Sequence, residues 1–424
     1  MAKLLVRKSA PLYGEVDISG SKNAVLPIMA AALLSGSECE IVGVPELKDV
    51  EVMCELLRDV GADVSEDYII GAIKINTPGR VADEAPYELV KKMRASILVM
   101  GPLLAKTGRV KVPLPGGCAI GLRPINLHLK GLSALGAEIT EGRAANYDYV
   151  EAKAGKLRGG NVYLDFPSVG ATENIMMAAV LAEGVSIIEN VAEEPEIVDL
   201  ANFLNKMGAK IKGAGTDTIK IEGVQELSGC KHSVIPDRIE TGTFMTAAAI
   251  TRGNLLIKNV LPNHVKPVIA KLRECGVSVE YDDESILVRG DAAPLVATDI
   301  KTLPYPGFPT DMQPQFMSLL ATAAGPSVVI ETVFENRFMH VEELNRMGAG
   351  IEIKGSNAML SGGRPLKGAK VACTDLRAGA ALVLAGLAAE GATEISEIYH
   401  IERGYSNFIE KLSGTGADIL KIED

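Results

Sequence analysis

The sequence contains no tryptophan, and only 4% of its 424 residues are aromatic, so its cores must be built from aliphatic side chains. Its six cysteines form no CxxC pair and no metal-ligand spacing, which is typical of a reducing compartment. No apolar run reaches the ~18 residues of a membrane span. The longest runs, 24–34 and 378–389, fit buried helices, and the N-terminus lacks the apolar segment of a signal peptide. We therefore expect a cytoplasmic protein with no membrane span.

Basic residues are fewer than acidic ones, 43 against 54, and the net charge is −11. This balance argues against a partner that is a nucleic acid or an anionic membrane. Small anionic ligands remain possible, because a local cluster of cations can outweigh the global charge. The common nucleotide, zinc and hydrolase motifs (GxGxxG, GxxxxGK[ST], HExxH and GxSxG) are all missing. The sequence thus carries no signal for those chemistries.

A glycine that follows a helical segment and precedes Ala or Val recurs six times, at intervals of 68 to 75 residues. The six positions are Gly61, Gly136, Gly208, Gly276, Gly348 and Gly416. Each stands where a helix C-cap glycine is expected. The chain therefore divides into six near-equal repeats.

The third repeat shows the predicted internal order. An Ala-rich helix ends near Gly184, and the short strand VSIIENV follows. The segment EIVDLANFLNKMG (196–208) is predicted to form a second helix with one apolar face, made by Ile197, Leu200, Phe203, Leu204 and Met207. A hairpin around a Gly-containing turn closes the repeat. Helices and strands in ~70-residue blocks predict an α/β fold with mixed sheets, and these blocks are longer than the ~20–50 residues of solenoid scaffolds.

The first helix of each repeat is predicted to begin among small or polar residues. These starts lie around Lys22, Arg94, Ser168, Thr241, Asp311 and Arg377. Helix N-termini attract anions, and three of the six starts add a cation. Ordinary N-caps with solvated charges would look similar at any one position. Recurrence at equivalent positions favours an anion site.

The second repeat contains a Pro/Gly-rich insertion, VPLPGGCAIGLRPINLHLKG at 112–131, with one cysteine, Cys118. We interpret it as a mobile lid. Arg123 and His128 would lower the pKa of the Cys118 thiol and make it reactive, whereas the other five cysteines are expected to be inert. If Lys22, Arg94, Arg123, Arg337, Arg377 and Arg403 converge near Asp311, the pocket suits a substrate with a phosphate and a carboxylate.

Seven segments together resemble the UDP-N-acetylglucosamine 1-carboxyvinyltransferases, a branch of the enolpyruvyl transferase family. They are SGSKNA (19–24), PGGCAIGLRP (115–124), PDRIETGTF (236–244), TDMQPQF (310–316), ETVFENRFMHVEEL (331–344), TDLRAG (374–379) and HIERGY (400–405). The resemblance implies two similar domains, each of three βαβαββ repeats in an inside-out α/β barrel. One domain would be 22–235 and the other 1–21 plus 236–424, with the active site in the cleft between them.

The resemblance also implies a reaction. The enolpyruvyl group of phosphoenolpyruvate would pass to the 3-hydroxyl of UDP-N-acetylglucosamine by addition and elimination, with release of phosphate. This is the first committed step of peptidoglycan precursor synthesis, and it requires neither a metal nor an organic cofactor. A sister enolpyruvyl transferase with another acceptor, or a UDP-sugar-binding paralogue without turnover, are the alternatives.

Site residues follow from the same resemblance. The predicted catalytic residues are Cys118 as lid proton donor, Lys22, Asp311 as base for the 3-hydroxyl, and Arg403. Phosphoenolpyruvate would contact Lys22, Asn23, Arg123, Arg377 and Arg403. UDP-N-acetylglucosamine would contact Arg94, Arg123, Pro124, Ile125, Asn126, Leu127, Ser168, Val169, Gly170, Asp311 and Val333. Arg337 would act in domain closure or as a secondary contact.

Two positions distinguish members of this family. Many members have Asp where this sequence has Asn126, which would alter a side-chain contact there and leave a backbone contact unchanged. Cys118 matches the cysteine form of the family and implies that fosfomycin is a covalent inhibitor.

Overall fold

The computed structural model describes residues 2–67, 69–77, 79–114 and 125–423. These residues form two compact units. The middle unit contains 20–114 and 125–235, and the terminal unit contains 2–19 and 236–423. Each unit has its own apolar core. Within the described ranges, no helix is both long and apolar enough to cross a membrane.

The helices follow the chain in this order. They are α1 (Lys22–Ala31), α2 (Lys48–Asp59), α3 (Tyr87–Val90), α4 (Met100–Thr107), α5 (Asn126–Ala134), α6 (Val169–Ala179), α7 (Pro195–Lys206), α8 (Arg238–Ile250), α9 (Lys266–Glu274), α10 (Gln313–Thr322), α11 (His340–Arg346), α12 (Leu376–Ala388), α13 (Tyr399–Glu402) and α14 (Phe408–Gly414). Short 3-10 helices occupy Ala32–Leu34, Arg94–Val99, Pro262–Val265 and Thr310–Met312.

The strands are short and interleave with the helices. They are β1 (Lys3–Arg7), β2 (Tyr13–Asp17), β3 (Cys39–Val42), β4 (Asp63–Asp67), β5 (Ala72–Asn76), β6 (Arg109–Pro113), β7 (Glu138–Arg143), β8 (Asp148–Lys153), β9 (Asn161–Tyr163), β10 (Val185–Glu189), β11 (Lys210–Lys212), β12 (Thr218–Glu222), β13 (Lys231–Ser233), β14 (Asn254–Lys258), β15 (Ser278–Tyr281), β16 (Ser285–Arg289), β17 (Ile300–Lys301), β18 (Ser327–Ile330), β19 (Ile351–Lys354), β20 (Asn357–Leu360), β21 (Lys370–Ala372), β22 (Ala392–Ser396) and β23 (Ile419–Ile422).

The strands of the described ranges form six sheets, three in each unit. Those of the middle unit have the orders β13-β3-β5-β4, β6-β8-β7 and β9-β10-β12-β11. Those of the terminal unit have the orders β2-β14-β16-β15, β17-β18-β20-β19 and β21-β22-β1-β23. In every four-stranded sheet the first pair is parallel and the other pairs are antiparallel. The six-repeat mixed α/β fold is therefore confirmed.

Two sheets are completed by strands that are distant in sequence. β13 follows the third repeat but pairs in parallel with β3 of the first, in the register His232↔Ile41. β1 lies between β22 and β23 in the sheet of the sixth repeat, with Leu4 opposite Ile395. Each unit is thus closed by backbone pairing between its two ends.

The two helices of a repeat differ in burial. In α8 every residue from Ile239 to Ile250 is buried, and α8, α10 and α12 contact one another. A helix that is apolar or small on all sides belongs inside a core. The second helix of the third repeat, α7, buries one face, which includes the predicted Ile197, Leu200, Phe203 and Leu204. Central helices surrounded by half-buried sheets correspond to the predicted inside-out barrel.

All six repeat glycines have a left-handed backbone conformation, with φ from +86° at Gly276 to +108° at Gly208. At Gly136, Gly208 and Gly416 an added Cβ would meet no atom within 4 Å. The conformation itself therefore explains the glycines at these three positions, since other residues reach a positive φ only at a cost.

The predicted starts of the first helices need correction in the second repeat and in the fourth and fifth. Arg94 and Asp311 lie in 3-10 helices that precede α4 and α10. Thr241 lies one turn inside α8, because Asp237 caps this helix by accepting hydrogen bonds from the N–H groups of Ile239 and Glu240. The carboxylate cap is a stronger N-terminal signal than the small residues that follow it.

Candidate active site

Asp311 is the centre of a charged cluster in the terminal unit. Arg337 Nη1 donates to Asp311 Oδ1 at 2.7 Å, and Arg377 Nε donates to Oδ2 at 3.2 Å. The two arginine side chains are 2% and 1% exposed, whereas Asp311 keeps 26% of its side chain exposed. Two guanidinium groups thus face one carboxylate, which leaves an excess positive charge beside a partly open acid.

A second carboxylate fixes the segment on which Asp311 lies. Glu331 Oε2 accepts from Thr310 Oγ1 at 2.9 Å, and Oε1 accepts from Thr302 Oγ1 at 2.7 Å and from the Val333 N–H at 2.8 Å. Thr310 Oγ1 in turn accepts from Arg337 Nη1 at 3.1 Å. Sequence reasoning gave Glu331 no role, although it begins one of the matched segments. It orients Asp311 through its neighbours and holds the backbone of Val333.

Arg377 rests on a buried polar group that sequence reasoning also missed. Its guanidinium carbon lies 5.1 Å from the ring centre of Tyr405. The Tyr405 hydroxyl is 3.0 Å from Thr243 Oγ1 and accepts from Gln315 Nε2 at 3.0 Å. Each of these three residues lies in a matched segment, which was the available signal for them. They connect α8, α10 and the segment that follows α13, next to the side chain of Arg377.

Arg403 follows α13 and lies close to the start of α12. An added Cβ at the next residue, Gly404, would be 2.3 Å from Leu376 Cδ1, so the two segments touch. The pKa of His400 is lowered, first by burial and then by the charge of Arg403. The terminal unit therefore brings Arg337 and Arg377 together on Asp311, with Arg403 near the helix that carries Arg377.

Two donors of this cluster have no acceptor among the described residues. Arg337 Nε and Arg377 Nη1 are buried and lack a hydrogen-bond partner there. Unpaired buried donors are costly unless water or a ligand satisfies them. Their position next to Asp311 suits an anionic ligand.

Lys22 begins α1 in the middle unit. Its Nζ lies 2.8 Å from Asp49 Oδ2, and both side chains are almost buried. Asn23 is the next residue of the helix and is partly exposed. The ion pair holds the lysine side chain near the N-terminus of α1, where an anion would also meet free backbone N–H groups.

The amide of Asn174 determines the state of His128. The Gly101 N–H donates to Asn174 Oδ1 at 2.7 Å, so the amide nitrogen faces Ile97 O and His128 Nδ1, both at 2.9 Å. His128 Nδ1 is therefore the acceptor, and Nε2 carries the proton of the neutral ring. Burial lowers the pKa of His128 to about 4, and the charge of Arg94 adds to this. A neutral ring supplies no positive charge to a neighbouring thiol; the predicted effect of Arg123 and His128 on Cys118, which lies outside the described residues, stays a prediction.

Six further predicted UDP-sugar contacts lie at the starts of α5 and α6. Gly170 is in the first turn of α6, where an added Cβ would be 3.2 Å from His128 Cε1. Ser168 caps α6, and its Oγ accepts from the Ala171 N–H at 3.4 Å. Ile125 precedes α5, whose first residues are Asn126 and Leu127. Val169 is the first residue of α6.

Three predicted residues, Cys118, Arg123 and Pro124, lie outside the described residues, as does half of the predicted lid. Arg94 begins the 3-10 helix that Asn174 anchors through Ile97. The predicted contacts among the described residues are divided between the units. Those around Asp311 belong to the terminal unit, and Lys22, Arg94 and the residues next to His128 belong to the middle unit.

Comparison with known proteins identifies the family. Residues 6–412 match the family model described as EPSP synthase (3-phosphoshikimate 1-carboxyvinyltransferase). The chain belongs to this family. Its members are transferases that move a carboxyvinyl group, so the predicted enzyme class is confirmed. The motif-based resemblance to the UDP-N-acetylglucosamine branch is confirmed by curated relatives over the whole chain.

Three such family members were compared. UDP-N-acetylglucosamine 1-carboxyvinyltransferase 1 of Caldanaerobacter subterraneus subsp. tengcongensis is 63% identical over 419 residues, which are 99% of each chain. The proteins named UDP-N-acetylglucosamine 1-carboxyvinyltransferase 2 of Carboxydothermus hydrogenoformans and Clostridium tetani are 59% and 56% identical, and each alignment covers 100% of both chains.

Solved structures agree with this membership. The enolpyruvyl transferase NikO from Streptomyces tendae has a TM-score of 0.88 at 25% identity and covers 99% of this chain and 98% of its own. EPSP synthase from Acinetobacter baumannii has a TM-score of 0.76 at 19% identity over the full length of both chains, which shows a common fold.

Proposed function

We propose that this enzyme transfers the enolpyruvyl group of phosphoenolpyruvate to the 3-hydroxyl of UDP-N-acetylglucosamine and releases phosphate. The observation that carries the proposal is the 56–63% identity, over essentially the whole chain, to three proteins named for this transfer. The cluster around Asp311 supports it independently, because the reaction needs a base beside positive charge.

The proposed chemistry is an addition followed by an elimination. A proton is added to the methylene carbon of phosphoenolpyruvate, and the sugar 3-hydroxyl loses its proton and bonds to the adjacent carbon. The new methyl group then loses a proton, the carbon–oxygen bond to phosphate breaks, and the double bond is restored. Such steps require a general acid, a general base and fixed cations near the phosphate and carboxylate.

Asp311 is the proposed base for the 3-hydroxyl. Its partly exposed carboxylate accepts hydrogen bonds from Arg337 and Arg377, and its backbone lies in the 3-10 helix Thr310–Met312. Arg337 acts as a positioning residue, because it also bonds Thr310. Arg377 Nη1, on the buried guanidinium, has no hydrogen-bond partner among the described residues, which supports the proposed contact of Arg377 with phosphoenolpyruvate.

The remaining assignments are proposed from the family resemblance. Cys118 would donate the proton from the lid. Phosphoenolpyruvate would further contact Lys22, Asn23, Arg123 and Arg403. UDP-N-acetylglucosamine would contact Arg94, residues 123–127, residues 168–170, Asp311 and Val333. Residues of both units would therefore serve one reaction. Asn126 is the first residue of α5 and is exposed, so its side chain is open to a ligand.

The biological setting belongs to the same proposal. We place the enzyme in the cytoplasm, at the first committed step of peptidoglycan precursor synthesis, and expect roles in cell shape and division to follow from that step.

The decisive experiment is phosphate release from phosphoenolpyruvate, with and without UDP-N-acetylglucosamine, in the wild type, Cys118→Ala and the control Cys54→Ala. Cys54 is a buried cysteine of the middle unit without a proposed role. Release that requires the UDP-sugar, persists in Cys54→Ala and collapses in Cys118→Ala is expected. Release without the UDP-sugar would indicate another acceptor. No release from folded wild type would favour a binding paralogue.

Covalent inhibition gives a second test. Fosfomycin is expected to add one inhibitor mass to the wild type, on the peptide that contains Cys118, and to leave Cys118→Asp unmodified. Failure to label the wild type, under conditions that label another cysteine-form family member, would contradict the proposed reactivity of Cys118.

A further inference from the structure

Cys39 begins β3, and Cys230 immediately precedes β13, the parallel neighbour of β3 in the middle unit. The register of β3 and β13 pairs Lys231 with Glu40 and His232 with Ile41, so one step back along both strands places Cys230 beside Cys39. The Glu40 N–H donates to Cys230 O at 2.9 Å, which continues the ladder to this position. Neighbouring strands lie ~4.8 Å apart, within the range of Cα separations that disulfides span.

The residues that precede the two cysteines fix the distance between the two chain segments. An added Cβ at Gly229 would lie only 1.9 Å from Glu38 O, so no other residue fits there without a shift of the backbone. The Gly229 N–H donates to Ser37 Oγ at 2.7 Å. Strand separation is therefore fixed on both sides of the two cysteines.

The two thiols already interact. The proximity of Cys230 is the largest cause that lowers the pKa of Cys39, to about 7, and the same interaction raises the pKa of Cys230. The Cys230 thiol itself donates to Phe203 O at 3.9 Å. The Lys106 ammonium acts on Cys39, and the Lys206 ammonium acts on Cys230. A thiol with a lowered pKa and nearby cations is more often ionised and more nucleophilic.

The other described cysteines provide the contrast. Cys54, Cys275 and Cys373 are buried, and burial raises their pKa, to about 12 for the last two. The prediction of inert cysteines outside the lid included Cys39 and Cys230, which differ from these three in their contact with each other. Cys39 is fully buried, but Cys230 is partly exposed, so small molecules reach the pair from the Cys230 side.

We propose that Cys39 and Cys230 form a redox-active dithiol, which a hydroperoxide converts into a disulfide between β3 and β13. One sulfur loses its proton and attacks a peroxide oxygen, the O–O bond breaks, and water and a sulfenic acid form. The second thiol then attacks the sulfenic sulfur and displaces a second water. Two thiols and one hydrogen peroxide thus give one disulfide and two waters, and a dithiol reductant reverses the change.

The disulfide would link the first sheet of the middle unit to the strand that closes it. Residues 39 and 230 enclose nearly all of this unit, so the bond would constrain a very long loop of the unfolded chain. The oxidised protein should therefore unfold at a temperature about 5 °C higher than the reduced protein. The proposal is independent of the transferase activity.

Peptide mapping of the full chain tests this proposal. The wild type, Cys230→Ser and the control Cys54→Ser are treated with hydrogen peroxide, free thiols are alkylated, and the digests are analysed without reduction. In the wild type and Cys54→Ser we expect one linked peptide that joins Cys39 to Cys230 and has lost two hydrogens. The link should disappear after treatment with dithiothreitol, and Cys230→Ser should form none.

Two results would overturn the proposal. One is alkylation of both Cys39 and Cys230 in peroxide-treated wild type. The other is oxidation of Cys230 to sulfinic acid without a link to Cys39. Thermal unfolding provides the second measurement. Peroxide should raise the midpoint of the wild type and of Cys54→Ser, and dithiothreitol should restore it, whereas Cys230→Ser should not respond. Equal responses in Cys230→Ser and the wild type would contradict a disulfide at this position.

Discussion

The carboxylate of Asp311 is the single residue on which the proposed chemistry depends most. Asp311→Asn keeps the size of the side chain but removes the charge and the proton acceptor. We expect kcat to fall by about 10²–10⁴-fold, the usual contribution of a general base. Steady-state kinetics with both substrates checks this. Glu342→Gln, an exposed change on α11 in the same unit, is the control and should retain wild-type kcat.

A structural explanation for a loss in Asp311→Asn must be tested separately. The change leaves the buried Arg337 and Arg377 without their common anion, which is destabilising. Urea unfolding of the variant distinguishes the two effects. A folded variant with wild-type kcat would contradict the assignment of Asp311 as the base.

His340 contributes to the loss of folding stability at acidic pH. Burial lowers its pKa to about 4, Asp375 opposes this and Arg337 adds to it. Between pH 6.5 and 4 the unfolded chain binds a proton on this ring and the folded protein does not, so stability falls as the pH falls through that window. At pH 5 the loss is on the order of 2 kcal/mol relative to pH 7.5.

In the variant His340→Leu, the free energy of unfolding should fall less between pH 7.5 and pH 5 than in the wild type. Neither ring nitrogen of His340 has a hydrogen-bond partner among the described residues, so an apolar replacement breaks no bond there. Urea unfolding at pH 5 and pH 7.5 measures the difference. Val341→Ala, in the same helix, should lower stability equally at both pH values. An unchanged pH dependence in His340→Leu would show that another group is responsible.

At the scale of elements, the repeat glycines end the second helices. Gly416 has a left-handed φ of +96°, whereas Gly414, the last residue of α14, does not have a positive φ. An added Cβ would meet no atom within 4 Å at either position. Gly416→Ala should therefore destabilise by about 1–2 kcal/mol through the backbone alone. Gly414→Ala should stabilise by about 0.5–1 kcal/mol, since Ala favours a helix. Chemical denaturation of both variants checks the opposite signs, and equal effects would contradict this explanation.

Local pattern was sufficient to predict some elements. The apolar face of α7 and the glycine after it follow from spacing within one repeat, and both are present. The predicted start of α8 around Thr241 is wrong, because Asp237 caps the helix four residues earlier. Partners of Asp311 could be named only as members of a set of cations, since the contacts of Asp311 with Arg337 and Arg377 depend on how the fifth and sixth repeats pack.

At the scale of the whole molecule, the N-terminal strand stabilises a unit that consists mostly of residues 236–423. Leu4 is fully buried and its neighbour Leu5 faces the other side of β1. Leu4→Ala should destabilise the terminal unit by about 3 kcal/mol, whereas Leu5→Ala should cost much less. Hydrogen exchange should show lost protection in 236–423 and none in the middle unit, because the cores are separate. Equal loss in both units would contradict separate cores.

By itself, the sequence determined the repeats, the α/β class, the family and the candidate residues, because these depend on local periodicity, backbone preference and matched segments. The tertiary structure decided how β1 and β13 close the units, which cations meet Asp311, and that His128 is neutral. It also placed Cys39 beside Cys230. These features depend on contacts between residues far apart in the chain and on burial, and neither is encoded in the spacing of neighbouring residues.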